Sequence, residues 1–259
     1  PTAEQRQRVP HHLIDIVYNN EDLSLAEYVD ADHVAAEGIR QRGKQVLFVG
    51  GTPLYLKSLL RGLYTGPPPD WEFRREVAAE VEQVGDQALH QRLQQVDPLS
   101  AAKLHPHDKR RIIRALEVYK VTGQPLSHMQ TQFERGAAAK DRKVFVLQWP
   151  RGELHRRIEA RVEEMFAIGL VDEVRGLLER HGQLSRTAAQ AVGYRESMEF
   201  LANKRTLDET VEQVKIRTRR FARRQETWFR SLSECRPVGM SNEGCVQEIA
   251  TQILNNQAH

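Results

Sequence analysis

A short apolar segment that runs directly into two glycines sets the fold class of this sequence. Residues 44–49 read KQVLFV, and Gly50, Gly51 and Thr52 separate them from an apolar segment of helical spacing at 54–60. A continuous apolar run is typical of a strand buried on both faces of a parallel sheet. We predict a second short strand at 11–17, with a helix between the two. The order strand, helix, strand, glycine loop, helix predicts an α/β fold.

Two capping boxes mark the starts of long helices. Ser24 is followed three residues later by Glu27, and Thr206 is followed at the same spacing by Glu209. In this motif the hydroxyl and the carboxylate each accept a hydrogen bond from a free backbone N–H group at the helix start. We also predict that Gly169 interrupts a long amphipathic helix.

A proline-rich stretch at 66–69 (GPPP) interrupts the α/β pattern, and helical segments follow it. Asp70, Asp97 and Asp108 each precede such a segment, where an aspartate side chain caps free backbone N–H groups. A strand pattern returns at 143–149 (KVFVLQW). The sequence therefore predicts three parts: a first α/β part at 1–66, an all-helical insertion domain at 67–142, and a second α/β part at 143–259.

Charge and cysteine content narrow the functional classes. The 259 residues include 38 Lys and Arg, 35 Asp and Glu, and 2 Cys, with a net charge of +3. Basic residues concentrate at 109–114 and 215–230, which favours an anionic partner. Two cysteines without a C-x-x-C pair argue against a disulfide framework and a cysteine zinc site. No apolar run approaches the ~20 residues of a membrane helix, and we expect a cytoplasmic protein without membrane contact.

The glycine loop is the first candidate for chemistry. Where glycine ends a strand, backbone N–H groups can approach a ligand closely at the carboxyl edge of the sheet. Thr52 would add a hydroxyl at that point. A tight turn followed by a threonine helix cap gives the same pattern, so both interpretations stay open.

A basic helix start is the second candidate. Arg110 and Arg114 lie four residues apart on one face, and Ile112 and Leu116 mark the buried side. Guanidinium groups at this end oppose the helix macrodipole, because the amino-terminal end is already positive. A nearby phosphate or diphosphate would compensate them. A solvated basic face is the alternative.

The segment 217–230 (RTRRFARRQETWFR) interleaves arginine with aromatic residues. Guanidinium groups suit phosphates, and aromatic faces suit unpaired bases. We predict that Phe221 and Trp228 belong to the core and that the arginines form a nucleic-acid-binding surface. A further segment at 190–196 (QAVGYRE) places glycine beside tyrosine and arginine, which would allow close approach of a backbone or base.

These stretches, in this order, resemble the bacterial tRNA dimethylallyltransferases. The similarity extends from about residue 1 to about residue 255. Its most specific segments are 10–16 (PHHLIDI), 47–62 (LFVGGTPLYLKSLLRG), 105–127 (HPHDKRRIIRALEVYKVTGQPLS), 161–174 (RVEEMFAIGLVDEV), 190–196 and 219–230.

The resemblance implies a fold, a reaction and partners. The fold would be an α/β, P-loop nucleotide-kinase-like parallel sheet core with an all-helical insertion domain. The reaction would transfer a dimethylallyl group from dimethylallyl diphosphate to N6 of adenosine 37, in tRNAs that read codons beginning with U. The implied cofactor is Mg²⁺. The implied partners are dimethylallyl diphosphate and the tRNA anticodon stem-loop, bound by a monomer.

The resemblance also implies roles for individual residues. Thr52 and Arg74 match residues of the reaction centre, and Gly50 and Gly51 match the diphosphate channel. No residue is assigned to a metal. Contacts with tRNA are implied for Arg110, Arg111, Ile112, Ile113, Arg114, Gln190, Ala191, Val192, Gly193, Tyr194, Arg195, Arg220, Arg223, Arg224, Gln225, Trp228 and Arg230.

Two features depart from the family pattern. The sequence contains neither the phosphate-binding loop G-x-T-x-x-G-K-T nor the Asp-Ser pair that the family uses for its general base. Pro53 stands where many members have glycine or another small residue. We therefore expect the family's first segment to lie upstream of Pro1. We predict that these 259 residues bind tRNA but do not transfer the prenyl group.

Other functional classes stay open at this point. An adenylate isopentenyltransferase of the cytokinin-forming type would act on free adenine nucleotides and would need no large RNA surface. A non-catalytic RNA-binding remnant would keep the arginine helix but would have no use for a reaction channel. A nucleotide kinase would need lid and phosphate-loop signatures that this sequence does not display.

Overall fold

The computed structural model describes residues 1–62, 66–129, 143–241 and 246–255. The chain forms two compact units. The sheet unit combines residues 1–56 with 137–259, and the helical unit comprises residues 57–136. The insertion boundaries at 67 and 142 stay a prediction, since residue 142 lies outside the described part of the chain.

The chain order of the elements is as follows. The first three helices are α1 (Ala3–Arg8), α2 (Leu25–Gln41) and α3 (Pro53–Arg61). The helical unit contains α4 (Trp71–Val84), α5 (Asp86–Val96), α6 (Pro98–Lys103), α7 (Lys109–Thr122) and α8 (Leu126–Met129). The sheet unit continues with β1 (Val144–Gln148), α9 (Arg151–Ala167), α10 (Leu170–His181), α11 (Arg186–Ala189), α12 (Tyr194–Leu201), α13 (Leu207–Arg230), β2 (Cys235–Gly239) and α14 (Val246–Asn255).

The helical unit has its own apolar core. Helices α4, α5 and α7 pack on one another through buried side chains that include Phe73, Val77, Val81, Leu89, Leu93, Ile112 and Leu116. Asp97 is buried beside this core and caps α6, because it accepts hydrogen bonds from the N–H groups of Ser100 and Ser127, each at 3.0 Å. One carboxylate thus joins the start of α6 to the short helix α8.

The sheet unit pairs two parallel strands and packs long helices together. β1 and β2 run in register from Val144 opposite Cys235 to Gln148 opposite Gly239. Helices α9 and α13 pack through Ile158, Val162 and Val214, which form a second buried cluster. The predicted strand at 143–149 is confirmed as β1.

Two other predicted strands are wrong within the described residues. Segments 11–17 and 44–49 have no strand structure, and Leu47 and Val49 are 84% and 87% exposed. A strand needs backbone partners on a neighbouring strand, whereas β1 and β2 pair with each other. The apolar pattern of 44–49 indicated burial in a sheet, but pairing depends on distant residues that the segment itself does not specify.

The predicted caps at helix starts and the predicted interruption at Gly169 are confirmed. Ser24 and Thr206 form complete capping boxes with Glu27 and Glu209. The three predicted aspartate caps also accept backbone hydrogen bonds, for example from Phe73 to Asp70 at 3.0 Å. Gly169 has a φ of 102° between α9 and α10, a conformation that glycine adopts without steric cost.

Candidate functional site

The glycine loop of the sheet unit is held by a side chain of helix α13. The Gln225 amide Nε2 donates a hydrogen bond to the carbonyl oxygen of Gly51. A Cβ atom at Gly51 would lie 2.7 Å from that nitrogen, so a larger residue at this position would displace the Gln225 amide. The two segments are 174 residues apart in the chain, and this contact brings the predicted channel loop against the predicted RNA-binding helix.

Thr52 lies at the start of helix α3 and is exposed. Its carbonyl oxygen accepts the first helical hydrogen bonds, from Tyr55 at 3.1 Å and Leu56 at 3.3 Å. The structure gives its hydroxyl no hydrogen-bond partner among the described residues. The hydroxyl is therefore available to a ligand, while the role of Thr52 at the reaction centre stays a prediction.

The second half of helix α13 presents arginine and aromatic side chains together. Arg220, Arg223, Arg224 and Arg230 are exposed. Phe221 and Trp228 are 41% and 40% exposed, so the prediction that both belong to the core is wrong. The buried residues of α13 are Thr210 and Val214, in its first half, while contacts with α9 extend further along the helix, to Arg219 and Ala222.

The segment 190–195 forms a turn that enters helix α12. Gly193 has a φ of 100°, and its N–H group donates to the buried Glu196 carboxylate at 2.8 Å. Arg217 of α13 forms an ion pair with the same carboxylate. Glu196 thereby fixes the turn against α13.

Two other glutamates bind the Tyr194 and Arg195 side chains beside this turn. The Tyr194 hydroxyl donates to Glu173, and burial together with this hydrogen bond raises the pKa of Tyr194 to about 12. Arg195 pairs with Glu199 at 3.3 Å. Gln190 and Ala191 are exposed and Val192 is partly buried, so the exposed groups of the segment lie at its start and at Arg195.

In the helical unit, a fully buried glutamate forms ion pairs with two of the predicted arginines. Glu117 accepts two hydrogen bonds from Arg74, each at 2.8 Å, and pairs with Arg114. It also accepts the N–H of Asp70 at 2.7 Å. Burial alone would raise the pKa of Glu117, but the hydrogen bonds from Arg74 and Arg114 outweigh it and hold that pKa below its ordinary value.

The two guanidinium groups are fixed by additional contacts. Arg74 stacks on the exposed ring of Trp71, with its Cζ atom 4.9 Å from the ring centroid. Arg114 donates to the carbonyl oxygen of Pro67 at 2.8 Å. Both side chains remain partly exposed, so they present a positive surface of fixed geometry.

The remaining predicted residues of helix α7 divide into surface and core. Arg110 and Arg111 are exposed, and Arg111 pairs with Asp108 at 2.7 Å. Ile112 and Ile113 are buried in the core of the helical unit. Their side chains stabilise the helix that carries the arginines and do not form its surface, because the helical period turns them inward.

Sequence reasoning missed Glu117 and Glu196, the two buried acids that hold the arginines. A signal was present for each, since Glu117 lies three residues after Arg114 and Glu196 lies three residues after Gly193. Such spacing places the side chains on one helical face or in one capping box. An acidic residue near a basic motif is also common on solvated helices. The spacing alone therefore does not distinguish a buried carboxylate from an exposed one.

Over the described ranges, no group of three or more His, Cys, Asp or Glu side chains is arranged to hold a metal ion. The same part of the chain has no helix that is long and apolar enough to cross a membrane.

The geometry defines a class of protein: an α/β sheet unit that fixes a glycine loop against an arginine-rich helix, with a separate helical unit that carries paired arginines. The chain belongs to the IPP transferase family, whose model matches residues 1–232. The family resemblance seen in the sequence is thereby confirmed.

Relatives support this assignment over nearly the full chain. A tRNA dimethylallyltransferase of Rhodopirellula baltica is 49% identical over 98% of this chain and 78% of its own length. A tRNA dimethylallyltransferase of Desulforamulus reducens is 40% identical over 100% of this chain and 91% of its own length.

Solved structures support the fold. The tRNA isopentenylpyrophosphate transferase of Bacillus halodurans matches with a TM-score of 0.66 at 33% identity, over 100% of this chain and 83% of its own. A eukaryotic dimethylallyltransferase acting on tRNA matches with a TM-score of 0.76 at 24% identity, over 97% of this chain and 65% of its own. The predicted α/β class with a helical domain is confirmed by these matches.

Proposed function

We propose that this protein transfers a dimethylallyl group from dimethylallyl diphosphate to N6 of adenosine 37 in tRNAs that read codons beginning with U. The observation that carries the proposal is the contact between Gln225 and Gly51. It joins a loop suited to a phosphorylated donor to a helix suited to RNA. The names of the relatives and the solved structures support the same activity.

The chemistry of this transfer determines what the protein must provide. The N6 amine attacks C1 of the donor, the C1–O bond to the diphosphate breaks, and N6 loses a proton as the N–C bond forms. The target base must leave its stack to reach the donor. Negative charge develops on the leaving diphosphate, and preorganised hydrogen-bond donors and cations stabilise it.

The described residues can supply part of this machinery. The free hydroxyl of Thr52 and the backbone N–H groups of the glycine loop are the proposed donors beside the reacting atoms. Arg74 and Arg114 are proposed to bind phosphate groups, since Glu117 neutralises only one of their two charges. The exposed arginines of α13 are proposed to bind the RNA backbone.

We propose that Mg²⁺ enters with the diphosphate. A magnesium ion usually keeps several waters and is held mainly by substrate phosphates and one or two carboxylates. When bound, it would neutralise charge on the leaving group. We also propose a monomer that acts in the cytoplasm, where its tRNA substrate is found.

An adenylate isopentenyltransferase is the second candidate, and binding separates the two. We expect filter binding to retain tRNA on the purified chain at concentrations where free AMP does not compete. The exposed arginines of α13 are the reason, because they would have no partner on a single nucleotide. Competition by AMP at equal concentration would favour the adenylate enzyme instead.

Transfer is measured separately from binding. We predict that the 259 residues alone bind tRNA without incorporating label from dimethylallyl diphosphate and Mg²⁺. A fusion that places a family member's phosphate-binding segment before residue 1 should incorporate label into tRNA. A fusion that binds tRNA and folds but incorporates no label would contradict the proposed activity.

A further inference from the structure

The side-chain amide of Gln225 fixes one peptide unit of the glycine loop. Its Nε2 atom donates to the carbonyl oxygen of Gly51. The C=O group of Gly51 and the N–H group of Thr52 belong to the same planar trans peptide, so they point in opposite directions. A hydrogen bond on the carbonyl therefore sets the direction of the N–H. Because Gln225 holds the carbonyl, the Thr52 N–H group points away from the Gln225 amide.

The segment around this peptide has few other contacts that would hold it. From Gln45 to Thr52, no backbone N–H group donates a hydrogen bond to any part of the chain that the structure describes. The side chains of Leu47 and Val49 are largely exposed, so packing contributes little. A segment with a solvated backbone and few buried side chains has low local stability. The orientation of the peptide between Gly51 and Thr52 thus depends on Gln225.

The donors of Thr52 are available to a ligand. Within the described ranges, neither its backbone N–H group nor its hydroxyl has a hydrogen-bond partner. Backbone N–H groups that are fixed in advance stabilise an oxyanion well, because they need no reorientation while charge develops. In the proposed reaction, such charge develops on the oxygens of the leaving diphosphate. A fixed Thr52 N–H group therefore suits that group better than it suits the neutral prenyl chain.

We infer that Gln225 is a positioning residue for prenyl transfer: by holding the Gly51 carbonyl, it aims the Thr52 N–H group at the diphosphate of the donor. This inference rests on the proposed function and assigns a task to one side chain of its site. The family resemblance implied a tRNA contact for Gln225, whereas its observed partner lies in the glycine loop. Gln225 then acts through the loop and does not itself touch the reacting atoms.

Both partners of this contact can be changed by small substitutions. In Gln225→Asn the amide is kept, but the side chain is shorter by one methylene and no longer reaches the carbonyl. In Gln225→Glu the length is kept, but a carboxylate has no N–H group to donate. In Gly51→Ala the new Cβ atom would lie 2.7 Å from Nε2 and would displace the amide. The three substitutions therefore remove one hydrogen bond in three different ways.

Nuclear magnetic resonance on the purified full chain tests the contact itself. Thr52 is the only threonine in the sequence that follows a glycine. Labelling the glycine carbonyl carbon with ¹³C and the threonine nitrogen with ¹⁵N therefore gives a single cross-peak, from this peptide. The cross-peak should move in Gln225→Asn and Gln225→Glu and keep its position in Gln213→Ala. Gln213 is the matched control, because it is a partly buried glutamine in the first half of the same helix.

The effect on transfer is measured in the fusion that carries the phosphate-binding segment. Gln225→Asn should lower the single-turnover rate at saturating tRNA by roughly 10²-fold, because small misplacements near reacting atoms cost about that much. The dissociation constant for tRNA should stay near that of the unchanged fusion. Gln225→Asn combined with Gly51→Ala should be no slower than the slower single variant, since both changes remove the same contact. Gln213→Ala should keep the full rate, and circular dichroism checks that every variant is folded.

Several outcomes would overturn the inference. An unmoved cross-peak in both Gln225 variants would show that the amide does not hold this peptide in solution. A full transfer rate in Gln225→Asn would show that the orientation of the peptide does not matter. Weaker tRNA binding with an unchanged rate at saturating tRNA would make Gln225 an RNA contact, and additive losses in the double variant would separate it from Gly51. Absence of label incorporation by the unchanged fusion would instead contradict the proposed function, while the cross-peak would still report on the contact.

Discussion

At the scale of single residues, the Glu117 carboxylate organises the arginines of the helical unit. It is fully buried, and its oxygens accept hydrogen bonds from Asp70, Arg74 and Arg114. A buried charge is tolerated only when such donors compensate the loss of water. The position of both arginines therefore depends on an acid that is inaccessible to any ligand.

We expect Glu117→Gln to lower the free energy of unfolding by about 3 kcal/mol, because two guanidinium groups lose their counter-charge. The change keeps the size of the side chain and so isolates its charge. Urea denaturation measures the effect. Glu80→Gln is the control, since its ion pair with Arg92 is exposed and should contribute less than about 1 kcal/mol. Equal effects of the two substitutions would contradict this prediction.

Glu117 also predicts a pH dependence of stability. Its pKa in the folded chain lies below the ordinary value of 4.5, so the unfolded chain binds its proton more tightly than the folded chain. The stabilisation is fully present above that ordinary value and is lost as pH falls through the folded pKa. The wild-type chain should therefore lose more stability in acid than Glu117→Gln, as measured by urea denaturation across the acid range. Parallel profiles would contradict the assignment.

Thr52→Ala should slow prenyl transfer much more than it weakens tRNA binding. The hydroxyl is free and follows the loop that Gln225 holds, and loss of one hydrogen-bond donor near reacting atoms costs ~10²-fold in rate. Single-turnover rates at saturating tRNA, in the fusion that carries the phosphate-binding segment, measure the effect. Thr52→Ser is the control and should retain most of the rate. Unchanged rates for the alanine variant would show that Thr52 serves only as a helix start.

At the scale of elements, the second half of helix α13 exposes four arginines, at positions 220, 223, 224 and 230. Charge reversals at Arg220 and Arg224 should weaken tRNA binding and flatten its salt dependence. Each lost phosphate contact should reduce the slope of log affinity against log salt by roughly 0.7 to 0.9. Lys204→Glu, an exposed basic residue before this helix, is the control for overall charge. A slope that falls equally in the control would show a nonspecific charge effect.

Helix starts were predictable from the sequence, and sheet pairing was not. The capping boxes at Ser24 and Thr206 use residues three positions apart, so a few neighbouring residues contain the whole motif. The segment 44–49 has an equally clear apolar pattern, but a strand exists only where a distant strand supplies hydrogen bonds.

The candidate site was predictable in its residue types but not in its contacts. The arginine-rich motif indicated a basic surface on α13, and that surface is exposed. The contact between Gln225 and Gly51 joins residues 174 positions apart, and no local spacing encodes it. The exposure of Phe221 and Trp228 was likewise unpredictable, because it depends on which face of α13 is covered by residues distant in the sequence.

At the scale of the whole molecule, the two compact units each contain a separate apolar core. The core of the helical unit surrounds Leu93, and that of the sheet unit includes Val162. Because apolar burial stabilises the residues that share a core, each unit should respond mainly to changes in its own core.

We therefore predict opposite patterns for two core truncations, measured by hydrogen exchange on the full chain. Leu93→Ala should lower the opening free energy of α4, α5 and α7 by about 2 to 5 kcal/mol, while α9 and α13 keep their protection. Val162→Ala should lower the protection of α9 and α13 by roughly 2 kcal/mol, from two lost methyl groups and the resulting cavity, and should spare the helical unit. Leu207→Ala, at an exposed site, should change neither. If each core truncation accelerated exchange equally in both units, the chain would unfold as one cooperative body, and the independence of the two cores would be refuted.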